Sequence, residues 1–81
     1  MNYSVYVHVF PNGKLYIGAT RQEPKKRWRG GGGYRNQKAM HEAILKYGWD
    51  NIKHIVLISN LKEDMAMEIE KALIEKYSTQ D

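Results

Sequence analysis

The hydrophobic pattern changes period part-way along the chain. Residues Ser4 to Phe10 alternate, with Val5, Val7 and Val9 on one side and Tyr6, His8 and Phe10 on the other. That is the signature of a half-buried strand. Leu15 to Thr20 repeats the alternation, and Pro11-Asn12-Gly13 joins the two segments. Proline favours the second position of a type I turn, and glycine suits a left-handed residue that closes it as a bulge. Such a loop pairs Phe10 with Lys14, Val9 with Leu15, His8 with Tyr16, Val7 with Ile17, Tyr6 with Gly18 and Val5 with Ala19. One face is then wholly apolar, and Tyr6, His8 and Tyr16 share the other. A one-residue slip would put Tyr16 among the valines.

Helical spacing takes over after the hairpin. Pro24 fits the first position of a short helix ending near Arg29. The glycines Gly30 to Gly33 then read as a mobile loop. Asn36 is expected to cap a second helix, whose Ala39, Met40, Ala43, Ile44 and Tyr47 share a face before Gly48 stops it. Ile52 to Ser59, rich in β-branched residues, predicts a third strand. Asn60 and Glu63 have capping-box spacing for a last helix to about Tyr77, with Leu61, Met65, Ile69, Ala72 and Leu73 as its buried stripe. Trp28 is expected under the first helix and Trp49 over the turn into the third strand. The order β-β-α-α-β-α predicts a layered α/β (α+β) fold, a small three-stranded antiparallel sheet flanked by helices.

Composition narrows the class. The 81 residues are 42% hydrophobic and 27% charged with two prolines, which suits one folded domain over residues 1–81 and argues against disorder. The longest apolar run, Ile55 to Ile58, is far short of the roughly 20 residues of a membrane span. There is no signal-peptide layout, and the absence of cysteine excludes disulfides and thiolate metal sites. The expectation is an intracellular, cytoplasmic protein with no membrane partner. Net charge is +4, but it is unevenly spread. Between Lys14 and Lys38 stand Lys14, Arg21, Lys25, Lys26, Arg27, Arg29, Arg35 and Lys38 against Glu23 alone. From Lys62 onward acidic residues are in excess. A basic first half points to a polyanionic partner.

Several residues could carry chemistry. Ser4-Val5-Tyr6 is followed ten residues later by Tyr16-Ile17-Gly18, and then by Pro24-x-x-Arg27-Trp28. Glu70 sits on the predicted last helix among Ala66, Leu73, Ile74 and Tyr77, bordering the buried stripe, whereas Glu68 and Glu75 lie on the polar side. A carboxylate so placed needs a partner, and Arg27 or a divalent cation could serve. His8, His41 and His54 have no zinc-like spacing, and His8 taken alone reads as an exposed strand residue beside Tyr16. The glycine run lacks the Lys-Ser/Thr ending of a phosphate-binding loop.

The joint spacing of these elements resembles the GIY-YIG endonuclease family over essentially the whole chain. The second motif, Tyr16-Ile17-Gly18, is intact; in the first, Ser4-Val5 replaces Gly-Ile and Tyr6 is kept. The resemblance implies Tyr6, Tyr16, Arg27 and Glu70 as catalytic positions, with Glu70 as ligand to one Mg²⁺ (or Mn²⁺) per site. It implies hydrolysis of DNA phosphodiester bonds by water activated by the metal and by a tyrosine, Tyr6 or Tyr16. Gly31 stands where many members carry His or Tyr; Tyr34 is the candidate substitute, and His8 a second accessory residue. Lys14, Arg21, Lys25, Lys26, Arg29, Arg35 and Lys38 are the expected DNA-backbone contacts. So small a surface reads few bases, which suggests a homodimer or a fused or separate DNA-specificity module. Two other readings fit the same residues, an inactive nucleic-acid-binding module and a basic protein-interaction module.

Overall fold

The computed structural model describes residues 2–77. Strands β1 (Tyr3–Val9) and β2 (Leu15–Thr20) form the hairpin in the expected register, from Val9 opposite Leu15 to Val5 opposite Ala19. The turn closes through Phe10 N–H to Lys14 O and Gly13 N–H to Phe10 O, both 2.9 Å, with Gly13 at φ +87°. Helix α1 (Pro24–Trp28) ends where Arg29 turns left-handed, at φ 46°. A 3₁₀ turn over Arg29–Tyr34 leads to α2 (Lys38–Tyr47), which Gly48 terminates at φ +85°. A second 3₁₀ turn, Trp49–Asn51, precedes β3 (Lys53–Leu61), and α3 (Glu63–Tyr77) follows.

The sheet is antiparallel in the order β2-β1-β3, so the first strand is its centre. On one face Tyr6, Phe10, Trp28, Tyr34, Met40, Ile44 and Ile52 form an aromatic core under α1, the glycine turn and α2. On the other, Val5, Leu61 and Ala66 pack with Ile17, Ala19, Ile69 and Leu73 under α3. With helices on both sides, β1 is buried on both faces. The expectation of a half-buried strand with an exposed His8 is thereby overturned, since His8 is 0% exposed. The β3 edge is the opposite case, leaving Ile55, Val56, Leu57 and Ile58 exposed.

Both predicted asparagine caps fail, for local reasons. At α2 the capping position is Gln37, without a side-chain cap bond, because helical hydrogen bonding begins one residue beyond Asn36. Asn60 lies inside β3 with φ +62°, where the β1–β3 register shifts, and the helical bonding starts with Ala66 N–H to Lys62 O. The buried stripe of α3 is correspondingly rotated. Ala66 is its fully buried centre, flanked by Ile69 and Leu73, while Met65 and Ala72 are exposed. Glu70, four residues after Ala66, is carried to the buried side.

The glycine run is packed, contrary to the expectation of a mobile loop. Gly31 is buried at φ +101°, where a Cβ would meet Ile44 Cγ2 at 3.2 Å and Trp49 Cε3 at 3.3 Å. Gly30, at φ +60°, faces open space. Gly31→Ala should therefore cost about 1–3 kcal/mol in denaturant unfolding. Gly30→Asn should be nearly neutral, because asparagine tolerates the left-handed region. Equal losses from both changes would contradict the packing of this turn.

Candidate active site

Strand pairing brings Tyr6, His8 and Tyr16 onto one face, as their spacing predicts. Opposite Tyr6 stands Gly18, where a Cβ would lie 2.6 Å from the Tyr6 Oη. The glycine of the second motif thus lets the phenol lie across the neighbouring strand. Tyr34 joins this face from the glycine turn. It is fully buried, with its hydroxyl 2.7 Å from His8 Nε2 and 3.2 Å from the Tyr6 hydroxyl. The Tyr16 hydroxyl donates to Gln37 Oε1 at 2.9 Å. Burial, with Tyr6 beside it, pushes the Tyr16 pKa above the usual phenol value. Burial raises Tyr34 much further. Both are phenols in the free protein.

Arg27 is held over this cluster. Its Nη1 donates to the Gly33 carbonyl at 2.6 Å, and its guanidinium carbon lies 4.6 Å from the Tyr34 ring centre. Gly33 must be glycine, since a Cβ there would overlap the Arg27 carbonyl oxygen. Gly31 packs against Ile44 and Trp49 and presents no group to the site. The hydroxyl on this side comes from Tyr34, three residues later.

Glu70 arrives from the other helix layer. Phe10 and Lys14 form a hydrogen-bonded pair, so by antiparallel alternation the Ala19 N–H points away from β1, to the free edge of β2. Glu70 accepts a bond from that N–H, which lowers its pKa; burial raises it more, and the net shift is upward. Glu68 and Glu75 are exposed. The Tyr16 phenol also feels both charges, Arg27 lowering its pKa and Glu70 raising it, each less than burial does.

The model of the GIY-YIG catalytic domain family matches residues 2–81. The chain belongs to this family. GIY-YIG domains are nuclease domains that act on DNA. No curated protein and no solved structure matches the chain.

Within this GIY-YIG domain, Tyr6, Tyr16, Arg27 and Tyr34 are brought together, with Glu70 at the adjoining edge. The basic residues Lys14, Arg21, Lys25, Lys26, Arg29, Arg35 and Lys38 are all exposed. Arg29 and Arg35 flank Gly32 in a depression of about 280 Å³, and Lys14 borders a groove of about 310 Å³ shared with Tyr16 and Gln37. No helix among the described residues is long and apolar enough to cross a membrane.

His54 escaped the sequence reading. It lies opposite His8 across β1–β3, with the two Nδ1 atoms 2.8 Å apart, and its ring stacks on Trp49 at 3.8 Å. The signal was parity: β3 could have been threaded against His8, but β-branched content alone does not choose its register.

Among the described residues, no three His, Cys, Asp or Glu side chains cluster as a ready metal cage. Glu70 therefore offers a single hard oxygen donor. Its partly desolvated carboxylate, which accepts from the Ala19 backbone N–H, fits a divalent ion that keeps most of its ligands as water and substrate oxygens. The upward pKa shift means that the fold disfavours ionised Glu70. Stability should rise as pH falls through the folded pKa, and the penalty is fully present above it. Glu70→Gln keeps an acceptor for Ala19 and removes the charge, so it should raise Tm in metal-free neutral buffer. A lowered Tm would show that the carboxylate is not desolvated.

Proposed function

We propose that this domain is a divalent-metal-dependent endonuclease hydrolysing DNA phosphodiester bonds. The observation that carries the reading is the placement of Arg27 over Tyr34, whose hydroxyl meets that of Tyr6 on the face shared with Tyr16. Phosphodiester hydrolysis needs a deprotonated water, a clamp on the non-bridging oxygens and stabilisation of charge at the leaving oxygen. Arg27 supplies the clamp. One N–H is spent on Gly33, which fixes the fork while leaving its other donors for phosphate. A tyrosine of this face, Tyr6 or Tyr16, takes the proton of the attacking water. Glu70 would hold Mg²⁺ (or Mn²⁺), one ion per site, and that ion would supply Lewis-acid stabilisation of the developing phosphate charge. The exposed basic residues attract the DNA backbone without reading sequence. Base selection then falls to a second copy of the domain or to a separate specificity module.

The test is cleavage of supercoiled and branched DNA in Mg²⁺, with single-turnover rates at saturating enzyme. Glu70→Gln should abolish cleavage while DNA affinity persists, and Glu68→Gln should do little. Arg27→Ala should lose about 3–4 kcal/mol of transition-state stabilisation, a few hundred-fold in rate, by analogy with loss of a positioned oxyanion donor. Arg27→Lys should not rescue, because a point charge cannot replace the fork. Arg35→Ala should mainly raise Kd and reduce its salt dependence. DNA binding without cleavage in any divalent metal would instead make this a binding module.

A further inference from the structure

A continuous hydrogen-bonded line runs inward from the tyrosine face. The Tyr6 hydroxyl lies 3.2 Å from that of Tyr34, which lies 2.7 Å from His8 Nε2. His8 Nδ1 is 2.8 Å from His54 Nδ1, and His54 Nε2 is 2.9 Å from the Trp49 carbonyl oxygen. One atom at the far end orders every proton. A carbonyl only accepts, so neutral His54 carries its proton on Nε2 and its Nδ1 is an acceptor. His8 Nδ1 must then donate, which leaves His8 Nε2 to accept from Tyr34. Tyr34 has a single proton, and once it is given to His8 its oxygen can only accept from Tyr6. The Tyr6 proton thus points inward and one lone pair remains; the side chain is 1% exposed, its oxygen lying over Gly18.

We propose that this line is a proton relay, making Tyr6 the group that deprotonates the attacking water and His54 the residue that stores the proton. The proposal rests on the endonuclease reading above. In the attack step a water O–H breaks and its proton passes to Tyr6 Oη. The Tyr6 proton moves to Tyr34 Oη, the Tyr34 proton to His8 Nε2, and the His8 Nδ1 proton to His54 Nδ1. The water oxygen keeps its electron pair for phosphorus, and His54 becomes an imidazolium. After product leaves, the reverse transfers release the proton to water at Tyr6 and restore the starting pattern. No tyrosinate is needed, which matters because the surroundings keep Tyr34 and Tyr16 as phenols.

The end of the line is built for a cation. His54⁺ would keep both N–H groups satisfied, by Trp49 O and by His8 Nδ1, and its ring is stacked on the Trp49 indole face. It also borders a cleft of about 450 Å³ with Lys25, Trp28, Gly30 and Trp49, through which water can solvate the charge. His8 passes the proton on and does not retain it. Desolvation first, then His54 and Arg27, push its pKa to about 3. The charged or titratable groups around the pair are Lys25 and Arg27 on α1, Tyr34 on the glycine turn, Tyr6 on β1 and Tyr16 on β2.

His54→Gln separates the relay from the architecture. Its amide can donate to Trp49 and accept from His8, so the proton order survives, but it cannot take up a proton. With wild type cleaving DNA in Mg²⁺, single-turnover rates for His54→Gln should fall about a hundredfold or more, with Kd for DNA unchanged. The solvent deuterium inventory should change from bowed, for several protons in flight, to linear. A wild-type rate and a bowed inventory in His54→Gln would overturn the relay and leave the endonuclease reading intact. Failure of wild type to cleave in Mg²⁺ or Mn²⁺ would overturn both. Independently of activity, ¹⁵N shifts of the free protein should show the Nδ1–H tautomer at His8 and Nε2–H at His54. The Nε2–H tautomer at His8 would refute the proton order.

Discussion

The buried imidazole of His8 is the constraint on which the tyrosine face depends. It sits on the central strand with 0% exposure, ringed by Tyr6, Tyr16, Trp28, Tyr34, Trp49 and His54. A buried donor or acceptor left unsatisfied costs about 1–3 kcal/mol, so both ring nitrogens need partners. One partner is His54, which ties the register of β3 to β1. The other is Tyr34, which ties the path of the glycine turn. A one-residue shift of β3 would turn His54 to the opposite face and strand His8 Nδ1 among aromatic rings.

The glycine turn meets that requirement through close approach. Arg29 is left-handed at φ 46°, Gly30 and Gly31 continue with positive φ, and Gly33 lies against the Arg27 backbone. The chain doubles back tightly enough that Tyr34 reaches under Arg27 while Arg27 bonds to the Gly33 carbonyl. The guanidinium and the phenol therefore position one another. A side chain at Gly31 or Gly33 would force the turn outward and separate them. Those two glycines are packing elements, and their conformational cost is borne where the site is built.

The placement of Glu70 uses the edge of the sheet. β2 is an outer strand, so its outward N–H groups are open, and α3 on the opposite face is near enough for a carboxylate to reach one of them. The site thus draws Tyr6 and Tyr16 from the hairpin, Arg27 and Tyr34 from one helix layer, and Glu70 from the other. No single element contains it. A charge-bearing edge of this kind is open to an extended polyanion, and the flanking lysines and arginines are exposed beside it.

The sequence by itself determined the hairpin, the shared face of Tyr6, His8 and Tyr16, the strand and helix order, and the position of Glu70 on the more buried side of its helix, away from Glu68 and Glu75. These follow from local rules: a Pro-Asn-Gly loop has one compatible register, and side chains alternate along strands or recur every turn of a helix. Its failures were also local. Asn36 and Asn60 have the chemistry of caps, but the chain reaches α2 and α3 by paths that put other residues at the capping positions. Asparagine chemistry cannot show where a bulged strand ends. Only the tertiary structure decided that β1 is central and buried on both faces, that the glycine run is packed, and that His8 meets His54. The first and last of these depend on pairing residues more than forty positions apart. A hydrophobic pattern states which side of an element is buried, but not which distant side chain satisfies the polar group buried there.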